Sequence, residues 1–326
     1  MSVPLHTRML TVRLFSEPGD TLRAEGRILD LRKRGVVPVA GRLQGPGIVH
    51  DMSVELRLAR ADLRILESRA AMSAYPFGGG EATSGEACPD ILPNVTLLRG
   101  RRLDAGFGGA VEETIGGPRG CFHVFTLVRM LGPTVLWALE RHGETALGEG
   151  PLFARSILVD GFHLGGLRIA LRGSLFDIEY VPGAERLPVE EELAASVEVV
   201  GEIEVEVPSM EVGRSEARMR EGGPGVERLG PWREITKARV LRGSSVRKGF
   251  TARTQELLEG EPLPVLHLFF ALAPTLVQCM PSLFEELGTL PRRAEGPRAA
   301  VDSCHMWRAG GPLVRHAEGR APSRPE

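Results

Sequence analysis

The chain repeats itself over a length that only a whole domain fills. Leu98-Arg99-Gly100 followed by Gly106-Phe107 returns as Leu241-Arg242-Gly243 followed by Gly249-Phe250, 143 residues further along. Other matches at nearly the same offset pair Arg8 with Arg155, Gly26 with Gly173, and Asp30 with Asp177. Solenoid repeats run at roughly 20–50 residues. The repeat therefore predicts a duplicated domain, and 326 residues leave room for about two.

The repeat divides the chain into three parts. We predict a first unit over residues 1–147, a second, degenerate unit over 148–290, and a mostly flexible tail over 291–326. Arg, Pro, Gly and Ala dominate the tail, a composition typical of mobile segments. An island within it, residues 301–307 and 312–316, predicts a short hairpin that docks Cys304 and His305 onto the body.

Hydrophobic periodicity predicts the same order of elements in both units, four strands followed by two helices. In the first unit the strands are predicted at 9–15, 22–31, 53–58 and 63–67, and the helices at 103–115 and 122–141. In the second unit the strands are predicted at 156–162, 167–180, 195–200 and 203–207, and the helices at 249–258 and 264–287. Pro133 is expected to kink or interrupt its helix. The fold predicted is α+β, two homologous units of antiparallel strands (two hairpins) followed by two helices, packed as a pseudo-dimer.

Composition excludes several classes of function. Forty basic residues against 42 acidic ones give a net charge of -2, which argues against binding nucleic acid through its phosphates. The most apolar stretches, 121–139 and 263–284, contain prolines and read as buried helices, so no membrane association is expected. Four scattered cysteines do not form a disulfide framework, and reduced thiols predict a cytoplasmic protein.

Cys121 and His123 are the candidate catalytic residues. Cys121 follows a glycine-rich run at the predicted start of a helix, where free backbone N–H groups favour a thiolate. A thiolate with a histidine partner attacks acyl or thioester carbonyls. Residues two apart on a helix point about 200° apart, so the pair requires an irregular first turn. The alternative is that Cys121 is a small buried residue at a tight helix start.

A zinc site is the second interpretation of the same region. His50, Asp51, Cys88, Cys121 and Cys304 have the ligand types that zinc prefers, with Asp51 either binding the ion or orienting an imidazole. None of the cysteines has the close spacing of a zinc finger, so distant segments and the tail must converge. The alternative is that His50 and Asp51 form a turn before a strand.

The two copies differ at these positions, and this favours a site in the first unit. In the second copy the position of Cys121 falls near Val265, and that of His50 and Asp51 near residues 193–194. Only His267 lies near the position of His123. A fold that needed these residues for packing alone would need them in both copies.

These motifs together resemble the domain-of-unknown-function family 2889 (DUF2889). They are Val49-His50-Asp51-Met52, Cys88-Pro89, the run from Gly116 to His123, and Asp302-Ser303-Cys304-His305. The resemblance covers residues 9–141 and 301–316. It implies one unit of strands and helices with an HDM motif, a Gly-Cys-x-His motif and a cysteine near the carboxyl end, and it implies no activity. The second copy departs from that pattern.

The sequence leaves three classes of function open. The leading hypothesis is an accessory or small-ligand-binding protein with a Cys/His site in the first unit and a pocket between the units. The alternatives are a thiol- or metal-dependent enzyme that acts on an acyl-type small molecule, and a structural subunit of a larger assembly. The expected partner is a small molecule or another protein.

Overall fold

A nine-stranded antiparallel sheet is the framework of the computed structural model, which describes residues 2–39, 42–143, 148–188, 191–225, 229–247, 249–288 and 301–318. The strands of the first half are β1 (Val3–Glu17), β2 (Thr21–Arg32), the separate small pair β3 (Val37–Val39) and β4 (Arg42–Gln44), then β5 (Gly47–Ala59) and β6 (Ile65–Ala74). Those of the second half are β7 (Gly150–Gly165), β8 (Arg168–Tyr180), β9 (Leu193–Glu206), β10 (Glu211–Gly222) and β11 (Arg233–Glu234). The order across the sheet is β11-β10-β9-β8-β7-β1-β2-β5-β6.

Two of the predicted strands in the second half were assigned wrongly. Residues 195–200 and 203–207 belong to the single strand β9, which continues through Gly201 opposite Gly173. The fourth strand is β10, which follows the last strand predicted in this half. Its outward positions are mostly charged, and this hid the buried alternation of Ser215, Ala217 and Met219.

The two halves join edge to edge through β1 and β7. Leu10 lies opposite Ile157, Arg8 opposite Val159, and Val12 opposite Arg155. The sheet therefore continues through both halves. Strand pairing makes the main contact between them.

Two long helices pack against the sheet. In chain order the α-helices are α1 (Leu92–Val95), α2 (Phe107–Ile115), α3 (Phe122–His142), α4 (Phe250–Leu257), α5 (Leu263–Glu286) and α6 (Pro312–Ala317). A Cβ at Gly26 of β2 would lie 2.9 Å from Leu127 Cδ1 of α3, and one at Gly173 of β8 would lie 2.6 Å from Leu268 Cδ1 of α5. Each glycine thus permits one helix to approach the sheet closely.

The long helices α3 and α5 are both apolar enough and long enough to cross a membrane by length and composition alone. In the structure 50% and 61% of their most apolar windows are buried, against the sheet and its neighbours. They act as core helices, as the sequence indicated. The predicted interruption at Pro133 is wrong, since α3 continues through it to His142.

The tail packs onto the first half, but not as the predicted hairpin. Residues His305–Trp307 form a turn of 3₁₀-helix, and α6 follows with Pro312 in its first turn. Proline fits the first turn of a helix because the N–H that it lacks has no partner there anyway. The His305 N–H donates to the Gly120 carbonyl at 2.8 Å, which fixes the tail beside the start of α3. Residues 291–300 and 319–326 of the predicted flexible tail lie outside the described residues.

Candidate functional site

A buried ion pair between β1 and β2 forms the floor of the site. Arg8 lies directly opposite Asp30, and both side chains are at most 1% exposed. The guanidinium donates through Nε to Asp30 Oδ1 at 2.8 Å and through Nη2 to Oδ2 at 2.9 Å. This bidentate geometry is the strongest that an arginine and a carboxylate can adopt, and it fixes the carboxylate in place.

Three imidazoles surround the same carboxylate. His6 of β1 places Nε2 2.9 Å from Asp30 Oδ1, and His50 of β5 places Nδ1 3.0 Å from Oδ2. His50 is the residue of β5 that pairs with Asp30 in the sheet. His123, in the first turn of α3, lies over His50 with ring centroids 3.8 Å apart, and its Nε2 is 3.6 Å from Asp30 Oδ2. The site is therefore assembled from three strands and one helix.

Burial, the charge of Arg8 and the hydrogen bonds together set the charge states of these groups. Burial raises the pKa of Asp30, but the charge of Arg8 and the hydrogen bonds from His50, His6 and Arg8 outweigh it and hold that pKa well below its ordinary value. Burial lowers the pKa of His6 and His50, and lowers that of His123 strongly. At neutral pH the site contains an ionised carboxylate and neutral imidazoles.

Asp30, His50 and His123 offer ligand atoms that all lie within 4.8 Å of one another, so this buried group could hold a metal ion. The Nε2 atom of His123 is buried and, within the part of the chain that the structure describes, makes no hydrogen bond. A buried ring nitrogen without a partner is uncommon in proteins and calls for an explanation.

Cys121 lies at the edge of the group, in extended conformation as the residue that precedes α3. Because it is outside the helix, its Sγ comes within 3.8 Å of His123 Nδ1 in spite of the spacing of two. The thiol also contacts Met52 Sδ at 3.9 Å. The expected stabilisation of a thiolate is not found, since burial raises the pKa of Cys121 to about 11.

Asp51 does not join the group. Neighbouring residues of a strand point to opposite faces, so Asp51 lies on the other side of the sheet from His50. There it binds Arg27 through two bonds of 2.8 Å. The carboxylate beside His50 is Asp30, which sequence reasoning missed as a site residue although its match with Asp177 in the repeat was visible.

Cys88 and Cys304 lie near Cys121. Cys88 is buried at the start of a 3₁₀-helix, Cys88–Ile91, and packs with Met306 and Cys304 of the tail. Burial raises the pKa of Cys88, and the neighbouring thiols of Cys121 and Cys304 raise it further. His305 lies apart, with its Nε2 3.0 Å from a carboxylate oxygen of Glu86.

The second half contains a similar ion pair, whose carboxylate has no histidine among the partners described. Arg155 donates to Asp177 through Nε at 2.7 Å and Nη2 at 2.6 Å. The residue opposite Asp177 in β9 is Val197, and the residue at the position of His6 is Phe153. Burial raises the pKa of Asp177, and the charge and hydrogen bonds of Arg155 do not reverse this.

Two positions in the second half differ from those that the sequence offset suggested. Val197 pairs with Asp177 as His50 pairs with Asp30, whereas the offset pointed to residues 193–194. Leu127 of α3 packs at Gly26, and Leu268 of α5 packs at Gly173. When these two leucines are aligned, Pro264 takes the position of His123. His267 thus lies nearly one helical turn further along α5, where its Nδ1 accepts from Arg155 Nη1 at 2.7 Å.

Comparison with known protein families gives one match. Residues 6–136 match the model of the family described as a protein of unknown function (DUF2889). The match spans β1 through most of α3 and includes every member of the Arg8, Asp30 and histidine group. The resemblance seen in the sequence is thereby confirmed for the first half. No curated protein matches the chain significantly.

Proposed function

We propose that this protein is a metal-binding accessory protein and that Asp30, His50 and His123 hold one divalent transition-metal ion, with zinc as the best fit. The observation that carries the proposal is the buried, unpartnered Nε2 of His123, which lies 3.6 Å from Asp30 Oδ2. Imidazole nitrogen and carboxylate oxygen are ligand atoms that zinc prefers.

The donor group fits such an ion in spacing and charge. Bonds of about 2.0–2.1 Å in tetrahedral geometry place ligand atoms roughly 3.4 Å apart. The distances from Asp30 Oδ2 to His50 Nδ1, 3.0 Å, and to His123 Nε2, 3.6 Å, lie on either side of that value. Metal ligands must be deprotonated, and the pKa directions of all three groups give that state at neutral pH.

Cys121, Arg8 and His6 support these ligands. Cys121 faces Nδ1 of His123, the ring nitrogen that remains when Nε2 binds an ion, so its thiol orients the ring. Arg8 and His6 occupy Oδ1 of Asp30, and Arg8 also donates to Oδ2, so the carboxylate cannot rotate. When bound, the ion would supply positive charge and an open coordination position, and the chain would supply the three ligands.

Gene duplication is part of the proposal, with the two halves as homologous units packed as a pseudo-dimer. The register of β1 on β7 supports it, because Arg8 opposite Val159 and Val12 opposite Arg155 are related by a twofold axis through the Leu10–Ile157 pair. The long helices support it as well. The pattern Leu-x₃-Leu-x-Pro-Thr occurs at 127–134 in α3 and at 268–275 in α5.

A thiol enzyme is the second candidate, and one observation favours it. Cys121, His123 and Asp30 follow one another in the order of a nucleophile, base and orienting acid, at 3.8 and 3.6 Å. The raised pKa of Cys121 argues against it, since the thiol is protonated at neutral pH. Two open cavities of about 220 and 230 Å³ lie elsewhere, the first beside Arg34 and Glu285 and the second beside Met219 and Pro231. The predicted small-molecule or protein partner and the cytoplasmic location remain predictions.

Cobalt(II) titration tests the metal site. The chelator-treated full-length protein should take up one equivalent of Co²⁺, with the visible absorption of a tetrahedral or five-coordinate ion, and Zn²⁺ should displace it. His50→Ala and His123→Ala should each weaken binding by about 100-fold or more, the upper range for loss of a supporting residue. Asp51→Asn, on the opposite face of the sheet, should bind like the wild type. Equal binding by all four proteins, or no binding by the wild type, would contradict the proposal.

A further inference from the structure

A second group of donors, all sulfur, begins beside the first site. Cys121 Sγ contacts Met52 Sδ, and Met52 of β5 pairs across the sheet with Met72 of β6. Met72 in turn packs against a small buried cluster that contains Cys88 and Met306, with Cys304 at its edge. Sulfur atoms thus extend from the start of α3 to the docked tail.

The apolar cluster around Cys88 is rich in sulfur. Besides Cys88, Met306, Met72 and Cys304 it contains Leu313, Phe77 and Trp307. Thiolate ligands suit soft ions such as copper(I) and zinc, and thioether ligands beside them favour copper(I).

Specific contacts hold the tail in this place. The peptide group between Cys304 and His305 bonds to the one between Gly120 and Cys121, through the 2.8 Å bond from His305 N–H to the Gly120 carbonyl. Glu86 accepts from Arg308 Nη2 at 2.8 Å and lies 3.0 Å from His305 Nε2. Polar anchors, and not apolar packing alone, hold Cys304 against the cluster that contains Cys88.

We propose that Cys88 and Cys304 bind one copper(I) ion through their sulfurs, with the Met306 and Met72 thioethers as further ligands. Binding replaces two S–H bonds by two Cu–S bonds, releases two protons to solvent and leaves the oxidation state of copper unchanged. Burial raises the pKa of Cys304, and the backbone N–H groups of Trp307 and Met306, which face its sulfur, offset part of this effect. This site requires no ligand of the histidine site.

Copper(I) competition under anaerobic conditions tests this proposal. The reduced full-length protein should withdraw one equivalent of copper(I) from a chromogenic bidentate chelator. Cys88→Ser and Cys304→Ser should each reduce the affinity at least about tenfold, while Cys279→Ser is the matched control. Cys279 is also buried, but it lies on α5 against Gly161 and should not contribute. Circular dichroism of each variant checks that the fold is retained.

The outcomes separate this site from the histidine site. Cys88→Ser and Cys304→Ser should still bind Co²⁺, and His50→Ala and His123→Ala should still bind copper(I). X-ray absorption should show sulfur as the only neighbour of copper. Copper(I) binding that is unaffected by either cysteine variant, lost in the histidine variants, or shown to involve nitrogen overturns the proposal. Loss of Co²⁺ binding in the histidine variants alone leaves it standing.

Discussion

Replacing Asp30 by asparagine in the metal-free protein tests whether the histidines, rather than the ion pair alone, determine the energetics of the site. The Asp30→Asn substitution keeps the size of the side chain but removes its charge. Arg8, which is 1% exposed, then loses its counter-ion, and the imidazoles of His6 and His50 lose a charged acceptor. The matched control is Asp177→Asn, which removes the same bidentate partner from the equally buried Arg155.

The magnitudes follow from the contacts. Removing one partner of a buried ion pair costs roughly 3–5 kcal/mol because the other charge remains buried. Both variants incur this loss. Asp30 in addition accepts hydrogen bonds from two imidazoles, and each hydrogen bond contributes a net ~1 kcal/mol. Burial raises the pKa of Asp177, whereas the pKa of Asp30 is held below its ordinary value. The folded protein therefore stabilises the ionised form of Asp177 less than that of Asp30, and neutralising Asp177 costs less stability. We expect Asp30→Asn to lower the free energy of unfolding by about 1–2 kcal/mol more than Asp177→Asn.

Urea denaturation at neutral pH, followed by tryptophan fluorescence and circular dichroism after dialysis against a chelator, measures this difference. The two probes should give one transition with the same slope in all three proteins, so that the midpoints report stability. An Asp30→Asn variant that is as stable as Asp177→Asn, or more stable, would refute the conclusion that the imidazoles stabilise the Asp30 carboxylate.

Three further predictions follow from the same contacts. Burial lowers the pKa values of the imidazoles of the site from 6.5. Their contribution to stability is therefore present above about pH 6.5 and is lost as the pH falls below it, because the unfolded chain then binds more protons. The urea midpoint should decrease when the pH is lowered from about 7.5 to 5.5, and an unchanged midpoint would contradict this. Gly26→Ala and Gly173→Ala should each destabilise the protein by about 1–3 kcal/mol through overpacking, while Gly78→Ala, with open space around it, should have little effect in thermal denaturation. Glu86→Gln removes the charge that anchors the tail, so it should weaken docking of the tail by about 1 kcal/mol. Thiol labelling of Cys304 should then be about fivefold faster. An unchanged labelling rate would show that Glu86 does not hold the tail.

The alternation of buried and exposed residues along the strands indicates which carboxylate belongs to the site. In β2 the buried residues Leu22, Ala24 and Ile28 share their face with Asp30, so parity alone places this carboxylate towards the core. In β5 the same rule separates His50 from Asp51. Parity therefore favours Asp30 over Asp51 as the carboxylate of the site, without any knowledge of tertiary structure.

Other parts of the site could not be predicted from local patterns. The pairing of Asp30 with His50 depends on the register of β5 on β2, which the intervening stretch 33–46 does not reveal. The position of His123 depends on how α3 crosses the sheet, and this is set by the space at Gly26. Likewise the position of Cys304 beside the cluster around Cys88 depends on the contacts of the tail with Gly120 and Glu86. These are long-range contacts, and sequence periodicity reports only local structure.

Under the proposed duplication, a comparison of the two halves shows which residues the fold requires. The arginine and aspartate pair occurs in both halves, so it is part of the common scaffold. The positions of His6, His50 and His123 are occupied by Phe153, Val197 and Pro264 in the second half, whose core packs without those imidazoles. A buried polar atom without a hydrogen bond destabilises a protein by about 1–3 kcal/mol. The first half contains two such ring nitrogens, His6 Nδ1 and His123 Nε2. His123 Nε2 faces the Asp30 carboxylate, and since the scaffold folds without this imidazole in the second half, a metal ion bound to it explains its presence in the first.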